Sequence, residues 1–324
     1  MKRAALFILC LAFGLAQAAD YRAPRTSFGD PDLQGLWSNA SLTVLERLQA
    51  LGHRLVVSPQ EAAGIERAIN SRMAADRVPT AAGTGAPAAG GDVRGYNTFW
   101  LDLGTKLGRV NGEIRTSWIV DPPDGRVPYT NEGLRMMRES VTGRRFDDPE
   151  QRSLGERCIV GYGSTGGPPM LNVRYNNHYQ IVQSPGHVVI VVEMNHDARI
   201  IRLGGTHPPQ DLKMWLGDSV GRWEGDTLVV ETANRHPAQA YTAGTRHRLY
   251  IPTDARVVER FRRVAADEIL YEFTVEHPRA YTQPWRAQMP MHAAKGPMYE
   301  YACHEGNKSL EGILRGARYE EKRR

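Results

Sequence analysis

From residue 179 onward, apolar and polar residues alternate with a period of two in runs rich in Val, Ile, Tyr and Phe, separated by short turn sequences. This is the pattern of half-buried strands. Runs 179–184 and 187–194 flank Pro185-Gly186, runs 221–224 and 227–232 flank Gly225-Asp226, and runs 256–264 and 269–276 flank residues 265–268. Each pair reads as a hairpin, and three in succession predict an antiparallel meander. Within 269–276, Ile269, Tyr271, Phe273 and Val275 share one face, while Leu270, Glu272, Thr274 and Glu276 share the other. One face is core and the other mostly polar. Such a sheet either stays half solvated or curls into a barrel, and the need to protect its edges favours closure.

The N-terminal half reads differently, as extended segments and short helices with explicit start signals. Ser58-Pro59-Gln60-Glu61 combines an N-cap serine, proline at the first helical position and a capping-box glutamate, which predicts a helix over 59–76 with Ile65, Ile69 and Met73 on one face. Two shorter helices are expected, one after Thr130 (132–139) and one after Asp148, the second delivering Cys158 just past its end. Residues 78–95 are dominated by Ala, Gly, Pro and Thr and predict a flexible loop.

Composition changes the picture at the N-terminus. Met1-Lys2-Arg3, an apolar run through Leu15 and Ala16-Gln17-Ala18 have the charged, apolar and small-x-small regions of a signal peptide. Its removal takes the formal net charge from +5 to +3, too weak a bias for nucleic-acid binding. No later apolar run reaches the length of a membrane span. A periplasmic or secreted location is expected, and there Cys158 and Cys303 either form a disulfide or remain two buried thiols.

Two motifs match letter for letter and fail in context. Gly161-Tyr162-Gly163-Ser164-Thr165-Gly166 spells a dinucleotide fingerprint, but Pro168-Pro169 blocks the helix that must follow. Gly217-Asp218-Ser219-Val220-Gly221 spells a nucleophile elbow, but a turn and a strand follow where a helix is required. No metal or haem signature is present, so no cofactor is expected and a metal stays open only through scattered ligands.

Three polar clusters carry the candidate chemistry. At the end of the apolar run 188–192, His196 is a candidate acid or base, with Glu193 or Asp197 orienting it and Arg199 holding an anionic group; the alternative is a polar hairpin turn. Around Cys303, His304 and Glu305 offer an acid/base pair or two metal ligands, or else the start of a helix capped by Asn307 or Ser309. Asn176, Asn177 and Tyr179, in the run Arg174-Tyr175-Asn176-Asn177-His178-Tyr179, suit a polar or aromatic ligand and suit a turn equally well. Trp215 and Trp223 either line a pocket or fill a core.

Pro31-Asp32-Leu33-Gln34-Gly35-Leu36-Trp37, Tyr175-Asn176-Asn177, 193–199, 217–230, 271–275 and 299–307 together resemble a family of exported bacterial proteins of unassigned function. The resemblance spans most of the chain after residue 18 and implies export and a β-rich body, with no site assignment. Gly221-Arg222-Trp223 among hairpins is also faintly similar to lipocalins, which carry Gly-x-Trp near the N-terminus. The expected fold class is therefore α+β, mainly antiparallel β, as a meander sheet or lipocalin-like barrel with short N-terminal helices. The expected organisation is a signal peptide (1–18), an extended and helical segment (19–157) and a β domain ending in a helical turn (158–324). The expected function is an exported enzyme, a hydrolase or lyase, using His/carboxylate chemistry on a polar or aromatic small molecule; the alternative is a non-catalytic periplasmic ligand-binding protein.

Overall fold

The computed structural model describes residues 21–78, 81, 83–85, 100–141, 148–243 and 247–323. The expected signal segment, and most of the expected loop 78–95, lie outside the described residues. The described chain is mostly β, built on a closed barrel of nine strands: β1 (Gly35–Ser38), β2 (His178–Ser184), β3 (His187–Val192), β4 (Ala198–Leu203), β5 (Asp218–Glu224), β6 (Thr227–Ala233), β7 (Arg256–Ala265), β8 (Glu268–Glu276) and β9 (Trp285–Ala293). Each strand pairs with its neighbour in this order, and β9 returns to β1 through Trp37 opposite Ala293 and Ser38 opposite His292. Closure leaves no edge along the circuit, which removes the hazard of an unpaired row of amides and carbonyls.

The three expected hairpins are β2–β3, β5–β6 and β7–β8, joined across the turns that the sequence marks. The barrel is nevertheless mixed. β4 and β5 run parallel, with Ile201 opposite Ser219 and Leu203 opposite Gly221, because residues 204–217 cross over where a hairpin would have turned back. A nine-strand mixed barrel thus stands where the sequence suggested a mainly antiparallel meander sheet or a lipocalin-like barrel, and lipocalin barrels are eight-stranded and up-and-down. β1 comes from the N-terminal part of the chain, so the barrel draws on residues outside 158–324.

The described residues between β1 and β2 form the decoration. Helix α1 (Pro59–Asp76) begins at the expected capping box: the Glu61 amide donates to Ser58 Oγ at 3.2 Å and the Ser58 amide donates to Glu61 Oε2 at 2.9 Å. At 18 residues it is not a short helix. Ala62, Ile65 and Ile69 pack with Leu42, Val57, Leu107 and Ile114 in a satellite cluster. Helix α2 (Asn131–Glu139) is capped by Thr130. The helix expected after Asp148 is only one 3-10 turn, Pro149–Gln151. Arg152 turns extended, and Ser153 with Glu156 closes a separate turn through hydrogen bonds of 2.8 to 3.3 Å. Helix α3 (Lys308–Glu321) is capped by Asn307.

The barrel interior is filled by side chains. Tyr179, Val188, Ile190, Ile201, Leu228, Val257, Phe261, Tyr271 and Met289 belong to one continuous buried cluster. Gly221 answers the crowding, since a Cβ there would meet Ile201 Cγ2 at 2.7 Å. Inside this apolar packing lies an ion pair. Arg199 on β4 donates to Glu259 on β7 through both guanidinium nitrogens, at 2.9 and 2.5 Å, and neither side chain reaches solvent. Arg199 Nη2 also faces Ser219 Oγ and Thr232 Oγ1 at 3.4 and 3.3 Å, and Tyr271 donates to Glu259 Oε1 at 2.6 Å. Five strands thereby share one polar knot.

Breaking such a pair from one side leaves an uncompensated buried charge. Glu259→Ala is expected to lower the unfolding free energy by about 3–5 kcal/mol, and the joint replacement Arg199→Met with Glu259→Leu to recover most of that loss. Urea denaturation of the three chains checks this; a Glu259→Ala cost below about 1 kcal/mol would show that water reaches the pair.

Candidate functional site

With the interior filled, the place for chemistry is where the chain folds over the barrel. Residues 160–173 reach in and are held by interior groups. The Met170 amide donates to Tyr271 Oη at 2.9 Å, and Tyr179 Oη donates to the Thr165 carbonyl at 3.2 Å while accepting from Asn39 Nδ2. Asn172 accepts from Trp118 Nε1 at 3.0 Å and donates to the carbonyls of Ser41 and Thr43. Gly163 sits at φ +66 and is buried, and its carbonyl meets His247 Nε2 at 2.9 Å. The Gly-rich run that spells a nucleotide fingerprint is therefore a plug, shaped by its glycines and prolines to lie against the barrel.

On one side of this plug lies a cavity of about 450 Å3. One wall is drawn from the segment 152–168, a second from 238–242, and Asp197, Leu216, Arg235 and residues of 248–251 contribute with Val141 and Glu150. The first wall is braced by the expected disulfide: Cys158 and Cys303 are bonded with their Cα atoms 5.7 Å apart, and Asn307 Nδ2 donates to the Glu156 carbonyl at 3.3 Å. Asp197 faces the cavity from the turn after β3. It accepts from the Gly161 amide at 2.8 Å and from Asn195 Nδ2 at 3.3 Å, and burial raises its carboxyl from its ordinary value in spite of those bonds.

Arg235 reaches the cavity from just past β6. Asn234, in the left-handed region at φ +57, turns the chain there and anchors itself by donating to the carbonyls of Pro208 and Pro209. Arg235 is 2% exposed. Its Nη2 donates to the Pro252 carbonyl, and its Nε has no hydrogen-bond partner. Burial pulls its pKa down to about 10. The residue escapes a reading of the sequence because a single arginine after a strand forms no motif; Asn-Arg at a strand end was the only local signal.

A second cluster lies at the start of β2. His178 Nδ1 is 2.9 Å from Glu193 Oε2, and Asp102 Oδ2 is 3.9 Å from the same nitrogen. Glu193 also accepts from the His178 and Tyr299 amides, at 3.3 and 2.9 Å. The Glu193 hydrogen bond raises the pKa of His178 against the opposing effect of burial. Burial pushes the Glu193 carboxyl up, but the His178 and Tyr299 hydrogen bonds outweigh it and hold the group below its ordinary value. Burial raises Asp102.

The residues chosen from sequence separate widely in role. Glu193 pairs with His178, a neighbour not selected, rather than with His196, which is exposed on the turn. Asp197 lines the cavity. Arg199, expected to hold an anionic group, has its charge matched by Glu259 inside the barrel. His304 and Glu305 are exposed on the turn that precedes Asn307. Asn177 clamps the chain: it accepts from the Val173 amide and donates to the carbonyls of Asp102 and Val173. Asn176 makes the left-handed turn at φ +56, and Tyr179 is fully buried beneath the plug. Trp215 stacks on His236 with ring centroids 3.9 Å apart and is 41% exposed, and Trp223 packs against the main core. Among the described residues, no group of three His, Cys, Asp or Glu side chains is placed to hold a metal, and no helix is long and apolar enough to cross a membrane.

No protein-family model matches the chain, and no curated protein is significantly similar to it.

The His178–Glu193 pair gives a signed pH dependence. Stability from His178, whose folded pKa lies above its ordinary 6.5, is fully present below 6.5 and is lost as pH rises through the folded value. Stability from Glu193, whose folded pKa lies below 4.5, is present above 4.5 and is lost as pH falls through the folded value. His178→Gln is therefore expected to cost most between pH 4.5 and 6.5, about 1 kcal/mol, and less at pH 9. Thermal denaturation across pH measures the difference, and a cost that is flat from pH 5 to 9 would contradict the charged pair.

Proposed function

We propose that this protein is an exported binder of a small organic molecule, which it takes up in the cavity between the plug and the segment 238–242. The observation that carries the reading is the cavity itself: a concave space of ligand size, with a wall braced by a disulfide and a lining that mixes charged and polar groups with apolar side chains. The disulfide and the signal-like segment 1–18 support a periplasmic or secreted location, where such bonds persist. The exposed positions of His196 and His304 argue for binding over His-based hydrolysis, because neither imidazole is desolvated or enclosed with a substrate.

A second reading, an enzyme of hydrolase or lyase type, is favoured by Asp197. Its carboxyl lines the cavity and is raised from its ordinary value by burial, the direction that favours an acid–base role towards a bound molecule.

The test is a thermal-shift screen of small polar and aromatic compounds, followed by variants. Ala238 is exposed at the cavity wall, so Ala238→Trp is expected to fold and to obstruct the space. A ligand at about a hundred times its Kd stabilises by about 2.7 kcal/mol, a rise of roughly 5 °C or more. The rise is expected to persist in His196→Ala and His304→Ala and to vanish in Ala238→Trp. A shift that survives Ala238→Trp and disappears in His196→Ala would move the site to the turn after β3. Under the enzyme reading, Asp197→Asn leaves the shift and abolishes turnover; under the binding reading, no hit is turned over by the wild-type chain.

A further inference from the structure

Two arginines, Arg199 inside the barrel and Arg235 just past β6, are equally buried in different surroundings. Arg199 is met by both oxygens of Glu259. Arg235 is as deeply buried, yet among the described residues no carboxylate lies within ion-pair distance of it, and its only hydrogen bond is to the Pro252 carbonyl. A third buried arginine, Arg47, also has no carboxylate within ion-pair distance among the described residues, but both of its terminal nitrogens donate, to the carbonyls of Gly52, Pro123 and Ile119. Burying a charge without a counter-charge is costly, and Arg235 differs from Arg47 in lining a cavity.

Resting on the small-molecule reading of that cavity, we propose that Arg235 anchors the acid group of an organic anion with an apolar or aromatic body. The surrounding charge agrees. Arg157 and Arg248 also line the space, with no ion pair to a carboxylate among the described residues, and Arg152, paired with Glu156, adds a fourth arginine against the two acidic wall groups, Glu150 and Asp197. The guanidinium fork matches a carboxylate or a phosphate in two-point contact. The rest of the lining, with Tyr162, Tyr241, Val160, Leu216 and Leu249, supplies apolar surface for the body of the ligand. Carboxylate and phosphate share the chemistry that Arg235 offers, so the probes separate them.

The experiment is calorimetric titration of the oxidised chain at pH 7 with matched pairs: 4-hydroxybenzoate against 4-hydroxybenzamide, hexanoate against hexanamide, and phenyl phosphate against phenol. At least one acid is expected to bind tenfold or more tightly than its neutral partner, and the pair with the larger ratio identifies the acid group. Arg235→Met is expected to bring that acid down to the affinity of its partner while leaving the partner unchanged. The ratio in the wild-type chain carries the test even if this variant does not fold. Acids and neutral partners bound equally, and both lost in Ala238→Trp, would overturn the anion and leave the small-molecule reading standing. Binding unaffected by Ala238→Trp would overturn that reading itself, and no binding by any probe would overturn both.

Discussion

The Arg199–Glu259 pair is the constraint on which the remainder of the architecture turns. It spans the barrel interior from β4 to β7 and draws in Ser219, Thr232 and Tyr271 from three further strands. A buried pair of this kind adds little net stability, because desolvation consumes most of the Coulomb attraction, but it penalises every arrangement that separates its members. Here it fixes which residues of β4 and β7 point inward. It also occupies the centre of the barrel, so the interior is a packed core and not a ligand chamber.

Tyr271 carries that constraint outward. Its hydroxyl donates to Glu259 and accepts from the Met170 amide, which ties the plug to the polar knot. The plug in turn presents the Gly161 amide to Asp197 and forms a cavity wall, and the disulfide fixes the segment just before it. A chain of hydrogen bonds thus runs from the middle of the barrel to the site, and the position of the cavity follows from it. Arg235 lies outside this chain of satisfied groups. The fold meets the cost of one buried guanidinium with a carboxylate and of another with three carbonyls, and gives the one beside a cavity a single carbonyl among the described residues.

Local features were legible in the sequence. Ser58-Pro59-Gln60-Glu61 announces helix α1, and Pro185-Gly186 and Gly225-Asp226 mark two of the hairpins, because capping and turn chemistry act over a few residues. Closure was harder to see. It depends on Trp37 and Ser38 meeting Ala293 and His292 across most of the chain, and β9 carries Pro290 and three methionines or histidines in place of a clean alternation. The parallel step from β4 to β5 was hidden for a related reason, since its crossover bears glycines and prolines like any turn. Glu259 offered a missed signal: it shares the inward face of β7 with Val257 and Phe261, and a lone charge on an apolar strand face asks for a buried partner. Of the candidate site, Asp197 was found for its place at the end of a strand. Arg235 was missed because what distinguishes it is the absence of a partner, which only three-dimensional surroundings reveal.

The interior of the barrel is packed with side chains, and the proposed place for a ligand is the cavity beside the plug. The most direct measurement is a crystal structure of the chain grown with 4-hydroxybenzoate or phenyl phosphate. The account predicts ligand density in the cavity, with its acid group against the Arg235 guanidinium and the Arg199–Glu259 pair intact. Density inside the barrel with that pair separated, or at the His178–Glu193 cluster with the cavity empty, would contradict it.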